Sequence, residues 1–422
     1  MKIRVRSAPL YVPGFRFAGV ACGIKASGKP DLALIVSDVP ATAAGVVTRN
    51  RVQAAPVQLV VPKLKRGRAQ AVLINSGNAN ACTGAAGMKV ARDACRQAAA
   101  ALGIAEAAVL PCSTGKIGIV LPAGPMRRGI AAAVQALSAD GWWRSARAIM
   151  TTDAFPKVAE RRVRLGDTTV TVAGMAKGAG MIAPDMATLL VCVVTDARIA
   201  APALRRLVRA AVATSFNAIS VDGDCSTNDT VVMLANGVAG NRPFAAASTD
   251  GRRFGSALAA VMEDLAAMVV ADGEGATKRV RITVVGARTA DQARRAARAI
   301  AESQLVKTAL FGGDPNWGRM ACAAGYAGVP LVPERLSVTI GGVPVLSRGD
   351  DFTFAQNISA VVKFLDLDEK AGPTLPVAEL VTRRGYFIAT AQRLSAQMPD
   401  DKLATEVPNR PRSYRVLGHH IF

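Results

Sequence analysis

The chain has 422 residues, half of them hydrophobic, with 52 Lys and Arg against 31 Asp and Glu for a net charge of +21; that is enough apolar material for a sizeable core, in one large domain or about two to three ordinary ones. Its seven Cys are odd in number and form no Cys-x-x-Cys pair, and its two His are the adjacent His419 and His420, which argues against a disulfide framework, a metal site or a His-dependent triad and for a reducing, cytoplasmic setting. No run of about 18 apolar residues is free of breakers or charges, and scattered basic pairs with only four Tyr and three Trp read as an Arg-rich solvated surface that steers small acidic substrates, with no membrane and no nucleic acid as partner.

In chain order, Asp31-Leu-Ala-Leu-Ile-Val36 and Gly45-Val-Val-Thr-Arg-Asn50 read as two strands, and residues 70–75 as a third. The third runs into the small-residue loop Ser76–Gly84, and a helix follows over about 86–102. A strand, Gly loop and helix in that order can hold an anion at the helix N-terminus. The segment has no Gly-x-Gly-x-x-Gly and no Lys-Ser/Thr ending, so a nucleotide site is a weak reading.

Leu110-Pro-Cys-Ser-Thr-Gly-Lys-Ile-Gly118 reads as a loop. Its small residues leave backbone N–H groups exposed, as an oxyanion hole requires; an ordinary turn would look the same. Residues 149–157 end in a polar turn, and alternation across 161–173 predicts a hairpin.

The hairpin leads to Lys177-Gly-Ala-Gly-Met-Ile-Ala-Pro-Asp-Met-Ala-Thr188, followed by the apolar run Leu189–Val194. Two Gly and a Pro keep 177–187 irregular, and the run after them is a buried strand. Thr188 stands at the junction. Its hydroxyl either closes the turn before the strand, or becomes a nucleophile once the chain is cut before it, with the freed α-amine as general base. An α-amine has an ordinary pKa of about 7.7–8.0, suited to that task.

Beyond it, strands alternate with helices. Residues 201–215 and 254–270 each place apolar side chains on one helical face. Between them, Ser215–Asp229 has calcium-loop composition without the closing Glu, and reads as a turn network able to touch the site. The second helix ends at Ala271-Asp-Gly-Glu-Gly275, where Glu274 is either held on a tight loop or simply solvated. A strand at 279–285, a helix at 289–302, a Gly-rich loop at 307–319 and a hairpin around Gly341-Gly342 complete the pattern.

Taken together, Gly23-Ile-Lys25, Asn75–Ala81, Ser113–Gly118, Ile149–Asp153, Ala176–Thr188, Val221–Asp229, Gly273–Lys278 and Asp314–Arg319 resemble, in order, the ornithine acetyltransferase family, the bifunctional glutamate N-acetyltransferases of arginine biosynthesis. The resemblance implies an α/β sandwich with helices outside two sheets. It also implies self-cleavage between Ala187 and Thr188 into an α chain (1–187) and a β chain (188–422), paired as a heterotetramer. Thr188 would carry acetyl as an ester between N-acetylornithine and glutamate, with acetyl-CoA as a second donor in the bifunctional members and no bound cofactor. Thr114 and Gly115 match the family's oxyanion-hole pair, and Lys177 and Glu274 its substrate-binding positions, with Lys for a carboxylate and Glu for an ammonium group. No metal is implied.

Two departures stand out. Ala154 occupies a position where the family has a substrate-contacting Thr, and residues 350–422 do not follow the family pattern, ending Arg415-Val-Leu-Gly-His-His-Ile-Phe422. No C-terminal site residue is carried over. A self-cleaving amidohydrolase or aminopeptidase, with water as acceptor, shares the same nucleophile logic. An inactive relative with a spoiled tail is the non-catalytic alternative.

Overall fold

The apolar run after Thr188 forms a strand buried on both faces, and the architecture is built outward from it. The computed structural model describes residues 10–183 and 189–347, with the backbone of strands at 350–351, 378–379 and 386–392. The first half holds β1 (Phe15–Val20), β2 (Leu32–Val47), α1 (Ala55–Arg66), β3 (Arg68–Asn78), α2 (Gly84–Leu102), β4 (Val109–Lys116), α3 (Ala123–Gln135), α4 (Trp142–Ala148), β5 (Lys157–Leu165) and β6 (Thr168–Lys177). The second holds β7 (Leu190–Thr195), α5 (Ala201–Thr214), β8 (Ile219–Ser220), β9 (Thr230–Ala235), α6 (Thr249–Ala271), β10 (Ala276–Thr283), α7 (Ala290–Glu302), α8 (Gln304–Gly312) and α9 (Trp317–Gly325). Strands β11 (Val338–Ile340), β12 (Val343–Ser347), β13 (Asp350–Asp351), β14 (Ala378–Glu379) and β15 (Tyr386–Gln392) follow.

The large mixed sheet runs β4-β3-β2-β9-β7-β6-β5, with β1 paired to β2. Val191 and Val193 of β7 pack on Leu204 and Val208 of α5 and on Leu258 and Leu265 of α6. Leu190, Cys192 and Val194 face the opposite core with Phe17 and Trp142, whose rings meet edge to face at 4.7 Å. Burial on both faces is why β7 reads as an unbroken apolar run. Helices α2 and α3 cover the β1–β4 end, and smaller sheets order as β14-β10-β15-β8 and β11-β12-β13. Helix α6 packs on β5 and β6 and also touches β10 and β15. It is long and apolar enough to cross a membrane by length and composition, but Leu258, Val261, Met262 and Leu265 are wholly buried in the core.

The expected α/β architecture, helices packed on sheets, is present, with local corrections. The strands expected at 31–36 and 45–50 are one strand, β2, whose pairing with β3 slips between Val36 and Ala41. The polar, Pro-bearing Ser37–Pro40 breaks the alternation without ending the strand. The 110–118 loop is largely strand: β4 stays paired to β3 through Lys116. The Gly-rich 307–319 is two helices, α8 and α9; left-handed Gly313 ends the first and the Asn316 side chain caps the second. Helix α1 is hidden in the sequence by Pro56 in its first turn and Pro62 in its interior.

Candidate active site

Three strand ends and one helix end converge on the site. Thr114 and Gly115 lie at the end of β4, in parallel register with Ser76 and Gly77 of β3. Gly115 has φ +135°, and a Cβ there would lie 2.2 Å from the Gly77 carbonyl carbon, so this close crossing admits only Gly. Amide side chains lock the crossing. Ser113 Oγ donates to Asn75 Oδ1 (2.5 Å), and Asn228 Nδ2 donates to the carbonyls of Ser113 (2.8 Å) and Ala79 (2.6 Å).

Lys177, the last residue of β6, is 3% exposed. Its Nζ donates to Thr114 Oγ1 at 3.2 Å and lies 4.0 Å from Asp153 Oδ2. Burial pushes the Lys177 pKa down; the carboxylates of Asp153, Asp229 and Glu274 oppose that, while Lys157 adds to it. Asp153 accepts from Lys157 Nζ and from the Gly178 N–H, each at 2.7 Å. Burial alone would raise its pKa, but the ammonium charges of Lys177 and Lys157 hold it down at about 2. Lys157 also reaches Asp272, which caps α6, at 2.5 Å. Asp272 is pushed up by burial against the pull of Lys157.

The segment after Lys177 is pinned one residue at a time. Ala179 O accepts from Glu274 N (2.9 Å), and a Cβ on Gly180 would meet the Glu274 carboxylate at 2.8 Å. Met181 and Ile182 donate their N–H groups to Asp222 (2.6 and 2.8 Å). Residues 184–188, with Ala187 and Thr188 among them, lie outside the described residues. On the far side, Leu189 N donates to Asp229 Oδ1 (2.9 Å) and Leu189 O accepts from Thr230 N (3.1 Å). Burial raises the Asp229 pKa well above the ordinary carboxylate range, opposed by the Leu189 N–H and the Lys177 charge.

Thr114, Gly115, Lys177 and Glu274 therefore gather on the near flank of the junction. Glu274 is held on the tight loop and is also solvent-exposed. Sequence reasoning assigned no role to Asp153, Lys157, Asp272 or Asp229. Asp153 stands inside a quoted motif and Asp229 closes the turn network, so both were within reach; Lys157 and Asp272 are joined only by the fold. Ala154 is exposed, and its N–H donates to Asp272 (3.0 Å), so the missing hydroxyl does not disturb the backbone anchor.

A family model described as the ArgJ family matches residues 16–368. The chain belongs to the ArgJ family. Among curated relatives, the arginine biosynthesis bifunctional protein ArgJ of Symbiobacterium thermophilum is 49% identical over 351 residues, covering 83% of this chain and 87% of that protein. The ArgJ protein of Caldanaerobacter subterraneus is 44% identical over 368 residues, covering 85% of this chain and 91% of that protein. A solved ornithine acetyltransferase from Mycobacterium tuberculosis, in complex with ornithine, shares 43% identity; the match covers 42% of this chain and 93% of that one, with a TM-score of 0.37. ArgJ-family membership thus rests on most of the chain's length, and the motif residues above belong to that shared span.

Proposed function

We propose that this ArgJ-family chain is a self-cleaving glutamate N-acetyltransferase and ornithine acetyltransferase of arginine biosynthesis, with Thr188 as its N-terminal nucleophile. The observation that carries the site assignment is the Lys177–Thr114 contact (3.2 Å), which joins two strand ends at the start of the segment leading to Thr188.

In the maturation step, Thr188 Oγ adds to the Ala187 carbonyl and the peptide C–N bond breaks. Water then hydrolyses the ester, leaving the Ala187 carboxylate and a free Thr188 α-amine. In turnover, Oγ attacks the acetyl carbonyl of N-acetylornithine, the amide C–N bond breaks, and ornithine leaves with the proton on its amine. The amine of glutamate then attacks the ester, N-acetylglutamate departs, and Oγ regains its proton. The Thr114 hydroxyl and the Gly115 N–H stabilise the oxyanion formed at each addition. Lys177 adds positive charge beside them and receives the substrate carboxylate, and exposed Glu274 takes the ammonium group. Acetyl-CoA enters as a second donor with no resident cofactor. The α (1–187) and β (188–422) chains assemble as a heterotetramer in the cytoplasm.

The test is an acetyl-transfer assay with N-acetylornithine and glutamate, beside water as sole acceptor. Formation of N-acetylglutamate that requires both substrates and is lost in Thr188→Ala supports the proposal. Acetate release with no transfer to glutamate would replace it with a hydrolase.

A further inference from the structure

A cavity of about 690 Å³ lies between α1 and α5 over the end of β2. It shares no residue with the Thr114–Lys177–Glu274 cluster. Its floor is Gly45–Val47, and Gly45 allows the close approach: a Cβ there would meet Val231 O at 2.5 Å and Leu64 Cδ1 at 2.9 Å. Arg49, Lys65, Arg205 and Arg209 line it, and no Asp or Glu does among the described residues. Arg205 is fixed in place by its Nη2, which donates to the carbonyls of Leu64 and Lys65 at the end of α1. Its Nε and Nη1 are not spent there. Lys65 and Arg209 are exposed and enter no ion pair among the described residues.

Cations gathered on one concave wall repel one another, and an anion bound among them relieves that repulsion. Guanidinium groups favour phosphoryl oxygens through paired N–H donors.

We propose that this cavity is a binding site for a small phosphorylated ligand, with its phosphoryl head at Lys65, Arg205 and Arg209. Isothermal titration of the purified protein with pyrophosphate, and with acetate at matched ionic strength, tests it. The expected result is one saturable pyrophosphate site, with acetate at least tenfold weaker. A Lys65→Gln/Arg209→Gln variant is expected to lose pyrophosphate affinity at least tenfold. An Arg127→Gln/Arg128→Gln variant, which removes the same charge from the exposed face of α3, keeps it. All the substituted side chains are exposed, so the core is untouched. No saturable binding in the wild type, or equal loss in the two double variants, would overturn the proposal, the latter by assigning the effect to net charge.

Discussion

Lys177 sits between a hydroxyl and a carboxylate with almost no access to water. A buried ammonium is tolerated only with such partners. Lys177→Met keeps the side-chain volume and removes the charge beside Thr114. It should lower kcat for acetyl transfer by roughly 10²–10³, with a smaller change in thermal stability because Asp153 retains Lys157. Steady-state kinetics beside a melting curve separates the two effects. Asp153 gives the pH signature. Its folded pKa of about 2 lies below the ordinary 3.8, so the unfolded state binds more protons between those values and stability rises with pH through that window. The contribution, on the order of 2 kcal/mol, is complete above about pH 4 and lost as pH falls toward 2. Asp153→Asn should therefore be less stable than wild type at neutral pH, and the gap should close in urea melts as pH drops below about 4.

At the scale of elements, the ends of β3 and β4 cross so closely that Gly115 has no substitute. Gly115→Ala must displace the Gly77 carbonyl carbon, 2.2 Å from the new Cβ, and also strain a φ of +135°. Gly118→Ala meets the strain alone, since at φ +84° no atom of the described residues lies within 4 Å of its Cβ. Urea unfolding should show a loss of about 1 kcal/mol for Gly118→Ala and clearly more for Gly115→Ala, with acetyl transfer abolished only in the latter. Most elements were legible because burial dictated their patterns: β7 as an unbroken apolar run, α5 and α6 as one-sided stripes. The end of β4 reads as a loop in the sequence because Ser113–Gly115 are small for contact with β3, which looks like turn chemistry. Helix α1 hides behind its prolines, and α8 and α9 behind Gly313, which caps the first, and the Pro315-Asn316 turn that starts the second. Of the site, the motif residues were legible through resemblance. The Asp153–Lys157–Asp272 network was not, since Lys157 and Asp272 stand 115 positions apart, and charge pairing across that distance leaves no local pattern.

For the whole molecule, the sheet would hold the two proposed chains together after a cut. Strands β7 and β9, from the proposed β chain, are inserted between β2 and β6 of the α chain: β9 pairs with β2 and β7 pairs with β6. Lys177 and Leu190 face each other across the β6–β7 ladder, so a break between Ala187 and Thr188 opens a connection and leaves every rung in place. The fragments should co-elute on a native column and part only in denaturant. The most direct test of Thr188 as nucleophile is the intact mass of the denatured wild-type protein beside Thr188→Ala. Two fragments, 1–187 and a chain beginning at Thr188, that are replaced by one 422-residue chain in the variant are the predicted result. An uncut wild-type chain, or a cut that persists in the variant, would contradict it.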